Sequence, residues 1–588
     1  MATTKRKKRA IQAQQQTVLE LPGYAGRRRM LLGLLSLALI ALVARAVDQH
    51  VLERDFLQHE GERRHLRIVE IPAHRGMITD RNGEPLAMST PVDSIWANPR
   101  LLKPDGETLA QLEKILGKNQ DDLRRLLARY SDRAFIYLKR RANPDVAAQI
   151  MALAQERKLS GIGLKREFRR YYPGGEVFAH VIGFTDVDDV GIEGMEMAYD
   201  EWLAGKAGAK RVIRDGHSNI VKDVEGIRAP NPGKTLVLSL DRRLQYLAYR
   251  ELKAAVVRHK ARSGSVVILD TRNGEVLAMV NQPSYNPNGS RDSRGGVLRN
   301  RALIDVFEPG STMKPFAVTA AMELGQITPS TLIDTRPGTL QVGRAEVKDH
   351  HNYGVLDVAG VIRKSSNVGV SKIALELPQE ALWKAYSRLG FGQASSASFP
   401  GESAGQLAPY RRWAKIDQAT LSFGYGISVT PLQLAQAYSV LAADGVLYPV
   451  SLLRQEQPPE GRRVMSSATA VAMRRMLESV VSAEGTAPAA AVARYRVAGK
   501  TGTVKKSIAG GYAEDRYLAV FAGLAPASSP RLAMVVMLNE PSAGEFYGGQ
   551  VAAPVFSRIM AGALRLLNIA PDALETPGVR LAGGMVQP

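Results

Sequence analysis

The chain has 588 residues, 45% apolar and 23% charged, which excludes wholesale disorder and points to two or three globular domains. It has no cysteine, so disulfide scaffolds, cysteine-ligated zinc, iron–sulfur clusters and cysteine nucleophiles are excluded. The net charge of +21 suggests nucleic acid only until it is located. Lys5, Arg6, Lys7, Lys8, Arg9, Arg27, Arg28 and Arg29 crowd the N-terminus, the rest is diffuse, and no nucleic-acid motif is present.

Met30–Ala44 runs uncharged for 15 residues, and past Arg45 the apolar stretch extends to Val47, the lower edge for a spanning helix. The basic cluster before it predicts a cytoplasmic tail (1–29), one uncleaved anchor (30–47) and export of everything after it. The rival is a cleaved signal peptide with Ala44-Arg45-Ala46 as its site; the long basic region and the central Arg argue against it.

Residues 48–230 are polar and irregular, with helical periodicity at Glu107–Leu116 and Pro144–Arg157. Met77–Ala87 and Val266–Ala278 each place Asn-Gly between apolar runs, which predicts hairpins with positive φ at the turn. Arg228-Ala-Pro-Asn-Pro-Gly-Lys234 is turn-rich and marks a boundary. A strand at Thr235–Ser239 and an amphipathic helix at Arg242–Arg258 follow. Thr430-Pro431 caps a helix over Leu432–Ala443 that Gly445 ends. Arg496–Lys505, Tyr517–Leu524 and Arg531–Leu538 read as antiparallel strands, and Val551–Leu567 as an apolar helix. The mixture predicts an α+β or mixed α/β catalytic domain over 231–572, with a tail at 573–588.

Three motifs carry chemistry. In Pro309-Gly-Ser311-Thr-Met-Lys314, Pro-Gly predicts a helix entry with Ser311 at its positive end and Lys314 on the same face. A desolvated Lys near another cation can act as a base. Ser365-Ser-Asn367 offers a hydroxyl and a carboxamide two residues apart; alone, it reads as a polar helix cap. Gly499-Lys500-Thr501-Gly502-Thr503 falls on a strand, where Gly502 would leave room for a ligand lying alongside. Walker loops fail on spacing, because Arg494 and Arg228 stand where glycine is required.

Taken in order, Ser311-x-x-Lys314, Ser365-x-Asn367 and Lys500-Thr-Gly-Thr503 resemble the active-site set of serine penicillin-recognising enzymes. Arg75–Gly83, Arg169-Arg-Tyr-Tyr-Pro173, His180-Val-Ile-Gly183 and Gly191-Ile-Glu193-Gly look like pedestal motifs of class B penicillin-binding proteins. Ser365-Ser-Asn367, Phe423–Gln433 and Tyr547-Gly-Gly549 are similar to their septal-division branch. Elongation relatives usually carry Asp at the position of Asn367 and a Trp near the Thr-Pro helix. The resemblance covers nearly the whole chain. It implies an α/β fold: a transpeptidase domain of antiparallel sheet and helices on an elongated α+β pedestal (48–230) that serves dimerisation or partner docking, with one transmembrane helix.

The implied activity is D,D-transpeptidation of D-Ala-D-Ala stem peptides at the septum, inhibited by β-lactams, in the cell inner membrane with a periplasmic catalytic domain. Ser311 would be the nucleophile and Lys314 its base. Ser365 and Lys500 would relay a proton to the leaving group, Asn367 would hold the substrate amide, and Thr501, Gly502 and Thr503 would take its carboxylate end. No metal, cofactor or nucleic acid is implied; a membrane glycosyltransferase and division regulators are implied partners. The alternatives are an elongation enzyme, a D,D-carboxypeptidase or β-lactamase, a β-lactam sensor, and a non-catalytic scaffold.

Phe56-Leu-Gln-His59-Glu-Gly61 resembles part of a glycosyltransferase motif, but Leu52 and Glu53 stand where a Glu-Asp pair belongs. Asp349-His350-His351 could suggest a metal but reads more simply as a polar loop. Asp186, Asp188 and Asp189 read as a solvated loop.

Overall fold

The computed structural model describes residues 24–56, 66–119, 121–214, 220–289, 296–508 and 510–573. Most of the basic tail, His59 to Gly61 and the end from residue 574 lie outside them. By contact pattern the chain divides into two units, one of 1–71 with 208–229 and one of 72–207 with 230–588.

The first unit holds helix α1 (Tyr24–Val47), and a three-stranded antiparallel sheet of Leu66–Ile71, Gly208–Arg214 and Ile220–Arg228, with the middle segment central. α1 overlaps the one stretch among the described residues long and apolar enough to cross a membrane, and its apolar side chains are exposed. Arg45 near its end pairs with Asp48 at 2.5 Å.

The second unit begins with β1 (Ile78–Thr79) and β2 (Pro85–Ala97), then α2 (Gly106–Leu116), β3 (Ile136–Ala142), α3 (Pro144–Glu156) and β4 (Ile162–Tyr171). β2 pairs antiparallel with β1, β3 and β4. α2 starts where Asp105 accepts the Thr108 N–H at 2.7 Å, and it stops at Gly117, φ +67°. These elements enclose a small core that includes Ile95, Leu112, Leu138 and Ile150.

The part of the second unit after residue 230 carries α4 (Arg242–Arg258), β5 (Ser263–Asp270) and β6 (Val276–Gln282). α5 (Lys314–Glu323), α6 (Val358–Lys364), α7 (Asn367–Leu375), α8 (Pro431–Ala442) and α9 (Ser467–Val481) follow. It ends with β7 (Ala498–Ile508), β8 (Gly511–Ala525), β9 (Leu532–Asn539) and α10 (Ala553–Leu566). The sheet order is β6-β5-β9-β8-β7, antiparallel throughout, with β7 at the edge. β5, β6 and β9 are buried along nearly their whole length, so they read as continuous apolar runs rather than alternations.

Two local expectations change. At both Asn-Gly turns only the glycine has positive φ, +89° at Gly83 and +75° at Gly274. The Gly83 N–H bonds the Asp80 carbonyl and the register slips beside the turn, so it closes with a bulge. The strand expected at Thr235–Ser239 shortens to Leu236–Val237, parallel to β1. Across the turn-rich stretch near residue 230, Ile78, Leu86, Phe178 and Met195 belong to the same buried cluster as Val266, Phe316 and Val535.

The acidic and basic pedestal residues form specific pairs. Arg75 Nε donates to Glu196 Oε2 at 2.8 Å and Arg170 Nε to Glu196 Oε1 at 2.6 Å, with all three side chains almost fully buried. Arg75 also reaches Asp200 at 2.7 Å. Glu196 is thus the anion at the centre. Asp186, Asp188 and Asp189 are more than a solvated loop. Asp186 accepts the N–H groups of Asp188 and Val190, and Asp188 and Asp189 pair with Arg140 and Arg141.

Candidate active site

Four segments meet at one place. Ser311 sits in a 3₁₀ turn, Gly310–Met313, which runs directly into α5 with Pro315 in its first turn. The turn is held from three sides. Thr312 Oγ1 donates to the Pro309 carbonyl at 2.7 Å, the Gly310 N–H to the Gly424 carbonyl at 3.1 Å, and Tyr438 Oη of α8 to the Thr312 carbonyl at 3.0 Å. Thr430 and Gln433 close a reciprocal cap at the start of α8, as the Thr-Pro signal predicts.

Ser365 ends α6 with φ +60° and ψ +42°, the left-handed region that costs a non-glycine residue energy. In that conformation its hydroxyl lies between two amines. Lys314 Nζ donates to Ser365 Oγ at 3.0 Å and to the Ser365 carbonyl at 2.5 Å, and Lys500 Nζ reaches the same Oγ at 2.9 Å. Both lysines have 0% relative exposure. Burial, then the charge of Lys500, pushes Lys314 well below the usual lysine range, against a smaller pull from Asp349. Burial brings Lys500 down to about 7. Ser311 is half-buried, and among the described residues its hydroxyl makes no hydrogen bond to Lys314 or to any other group.

Lys500, Thr501, Gly502 and Thr503 lie on the edge strand β7. The Thr501 hydroxyl meets that of Thr486 at 3.0 Å, and the Thr503 hydroxyl accepts the Gly548 N–H at 2.9 Å. The latter leaves its own hydrogen free to donate. Gly502 serves packing rather than ligand space: a Cβ there would lie 2.9 Å from the Pro309 carbonyl oxygen and 3.1 Å from Thr312. The missing side chain lets the serine turn sit against the strand.

Asn367 opens α7, and its carboxamide donates to the Lys348 carbonyl at 2.9 Å. The cap reading of this motif also holds, since Ser366 is the N-cap of α7 and accepts from the Gly369 N–H at 2.8 Å.

Sequence reasoning placed Asp349 in a polar loop and missed its role. Its Oδ1 accepts the N–H groups of Asn367 at 2.5 Å and Val368 at 3.0 Å, and its Oδ2 accepts the Ser366 hydroxyl at 2.5 Å. The carboxylate therefore caps a helix that starts 18 residues downstream, a distance at which no local pattern reveals it. No group of three or more His, Asp or Glu placed to hold a metal occurs among the described residues. We expect Asp349→Ala to cost about 1–3 kcal/mol of stability, because the half-buried cap of α7 is left unmade. Thermal melts check this; an unchanged midpoint would reduce Asp349 to a loop residue.

The chain matches two family models, the penicillin-binding protein dimerisation domain over residues 70–238 and the penicillin binding protein transpeptidase domain over 264–561. It is 44% identical over 555 residues to peptidoglycan D,D-transpeptidase FtsI of Escherichia coli, covering 94% of this chain and 93% of that protein. It is 42% identical to the probable peptidoglycan D,D-transpeptidase PenA of Neisseria meningitidis, covering 94% and 96%. Among solved structures it resembles penicillin binding protein 3 of Mycobacterium tuberculosis complexed with aztreonam (TM-score 0.67, 30% identity, 86% and 98% covered). The apo transpeptidase domain of penicillin-binding protein 3 from Burkholderia pseudomallei also aligns (TM-score 0.53, 46% identity, 57% and 97% covered). With both domains in the expected order and the serine, asparagine and lysine motifs gathered at one site, the chain belongs to the class B penicillin-binding proteins.

Proposed function

We propose that this protein is a peptidoglycan D,D-transpeptidase of the division septum and a target of β-lactams. The observation that carries the reading is the Ser365 hydroxyl held between Lys314 and Lys500, beside the turn that presents Ser311. Ser311 Oγ attacks the penultimate D-Ala carbonyl, and neutral Lys314 takes its proton. The carbon–nitrogen bond to the terminal D-Ala breaks, and the proton returns to that nitrogen through Ser365. An amine of a second stem peptide then attacks the ester and frees Ser311. Backbone N–H groups of Ser311 and Thr503 serve the oxyanion. Asn367 orients the amide, while Lys500, Thr501 and Thr503 receive the terminal carboxylate.

The serine–lysine set supports acyl transfer through an ester on Ser311. Mass spectrometry of penicillin-treated protein should find one long-lived adduct, on the peptide containing Ser311. An adduct elsewhere, or undiminished labelling of Ser311→Ala, overturns the assignment. Depletion in the source cell should give filaments; rounded cells would indicate elongation instead.

The basic residues ahead of the apolar run Met30–Ala44 support an inner-membrane protein with a cytoplasmic N-terminus and a periplasmic catalytic domain. The pedestal is the region we assign to docking the membrane glycosyltransferase and division regulators.

The two lysines give the reaction a pH signature. Lys314 must be neutral to accept a proton, so the rate climbs with pH through its lowered value. Lys500 must be cationic to hold a carboxylate, so the rate falls as pH passes about 7. Lys500→Arg, which stays charged, should retain labelling and lose the falling limb. A falling limb left in place would give that limb to another group.

A further inference from the structure

A cleft of about 700 Å³ lies away from the serine, between the Asp80–Glu84 turn, the segment ending at Phe178 and the first turns of α4. It shares no lining residue with the active site, and its volume falls in the usual range for a ligand site. Its chemistry is balanced. Glu84 and Arg242 form one pair at 3.0 Å across the rim, both more than half exposed. Arg243 is held by Asp241 through two bonds, 3.0 and 2.7 Å. Buried Asp80 accepts the Arg242 N–H at 3.1 Å and the Asn82 carboxamide at 3.2 Å.

The rim thus offers donors and acceptors side by side, with no excess of either charge to attract a salt. Tyr246 completes it: the residue is 55% exposed, and its hydroxyl has no hydrogen-bond partner among the described residues. Buried Phe178 contributes to the lining. A flat aromatic face beside fixed, neutralised donor–acceptor pairs suits a ligand with alternating hydroxyl edges and apolar ring faces.

We propose that this cleft holds an uncharged stretch of oligosaccharide, the glycan to which the stem peptides are attached. The sugar class rests on the transpeptidase reading; the cleft itself does not. Both sites lie in one compact unit, so a strand held here would restrict where its peptides can reach relative to Ser311.

The test uses the full chain in detergent, titrated with a β-1,4-linked N-acetylglucosamine hexamer and, separately, with a sulfated oligosaccharide of equal length. The expected result is saturable binding of the neutral oligomer that Tyr246→Ala weakens about tenfold and Tyr246→Phe largely keeps. Penicillin acylation of Ser311 should be equal in all three proteins. Absence of saturable binding, or binding indifferent to Tyr246→Ala, overturns the proposal. So does tighter, salt-sensitive binding of the sulfated oligomer, which would make the cleft an arginine anion site. Failure of wild-type acylation would instead strike the transpeptidase reading, and the two failures are read separately.

Discussion

Lys314→Met should lower the second-order rate of penicillin acylation by about 10²-fold or more and leave the protein folded. The size follows from loss of a general base. Folding is expected to survive for an electrostatic reason. Lys314 is fully buried against another buried lysine, and its pKa is lowered by that burial and that charge. The folded state therefore binds fewer protons than the unfolded chain wherever pH lies between the lowered value and the ordinary one. Stability contributed by this group is complete above the unfolded value of about 10.4 and declines as pH falls toward the folded one. Methionine has similar length and no charge to desolvate, so it removes that penalty. Acylation kinetics and thermal melts at about pH 6, 7.5 and 9 check both halves. Normal acylation by Lys314→Met would shift the base to Lys500.

The second large effect is on stability, far from the serine. Glu196→Ala should destabilise the second unit by about 3–5 kcal/mol, since it leaves the guanidinium groups of Arg75 and Arg170 buried without their shared carboxylate. Replacing Arg75, Arg170 and Glu196 together by Met, Met and Leu should recover most of the loss, because no buried charge then lacks a partner. Denaturant midpoints of the two variants decide the matter. A single variant as stable as wild type would mean that water reaches the cluster.

The catalytic portion was legible in the sequence because its signals are local. Asp241 and Arg258 bracket α4 as the periodicity predicts, and the Thr430–Gln433 cap lies within one helical turn. The three motifs were legible as spacing. What spacing could not disclose was which atoms meet: Lys314 reaches Ser365 rather than Ser311 because the 3₁₀ turn and the left-handed end of α6 set the directions of the side chains. Long-range partners were equally hidden. Asp349 serves a helix in another segment, and Arg75 finds Glu196 across 121 residues, so neither leaves a pattern in any short window. The turn-rich stretch near residue 230 told of a turn in the backbone, but not that apolar side chains on either side of it pack together, because Pro and Gly report backbone shape and not core membership.

The left-handed backbone at Ser365 narrows the alphabet available to that codon. Glycine, asparagine and aspartate accept the conformation most readily, and none carries a hydroxyl. Threonine carries one, but its branched Cβ opposes a positive φ. Drug and substrate would draw on the same oxygen between the same two amines. Escape from the antibiotic by exchange at this residue would therefore have to satisfy backbone shape and hydroxyl chemistry together, and of the two small hydroxyl side chains serine meets both with less strain than threonine.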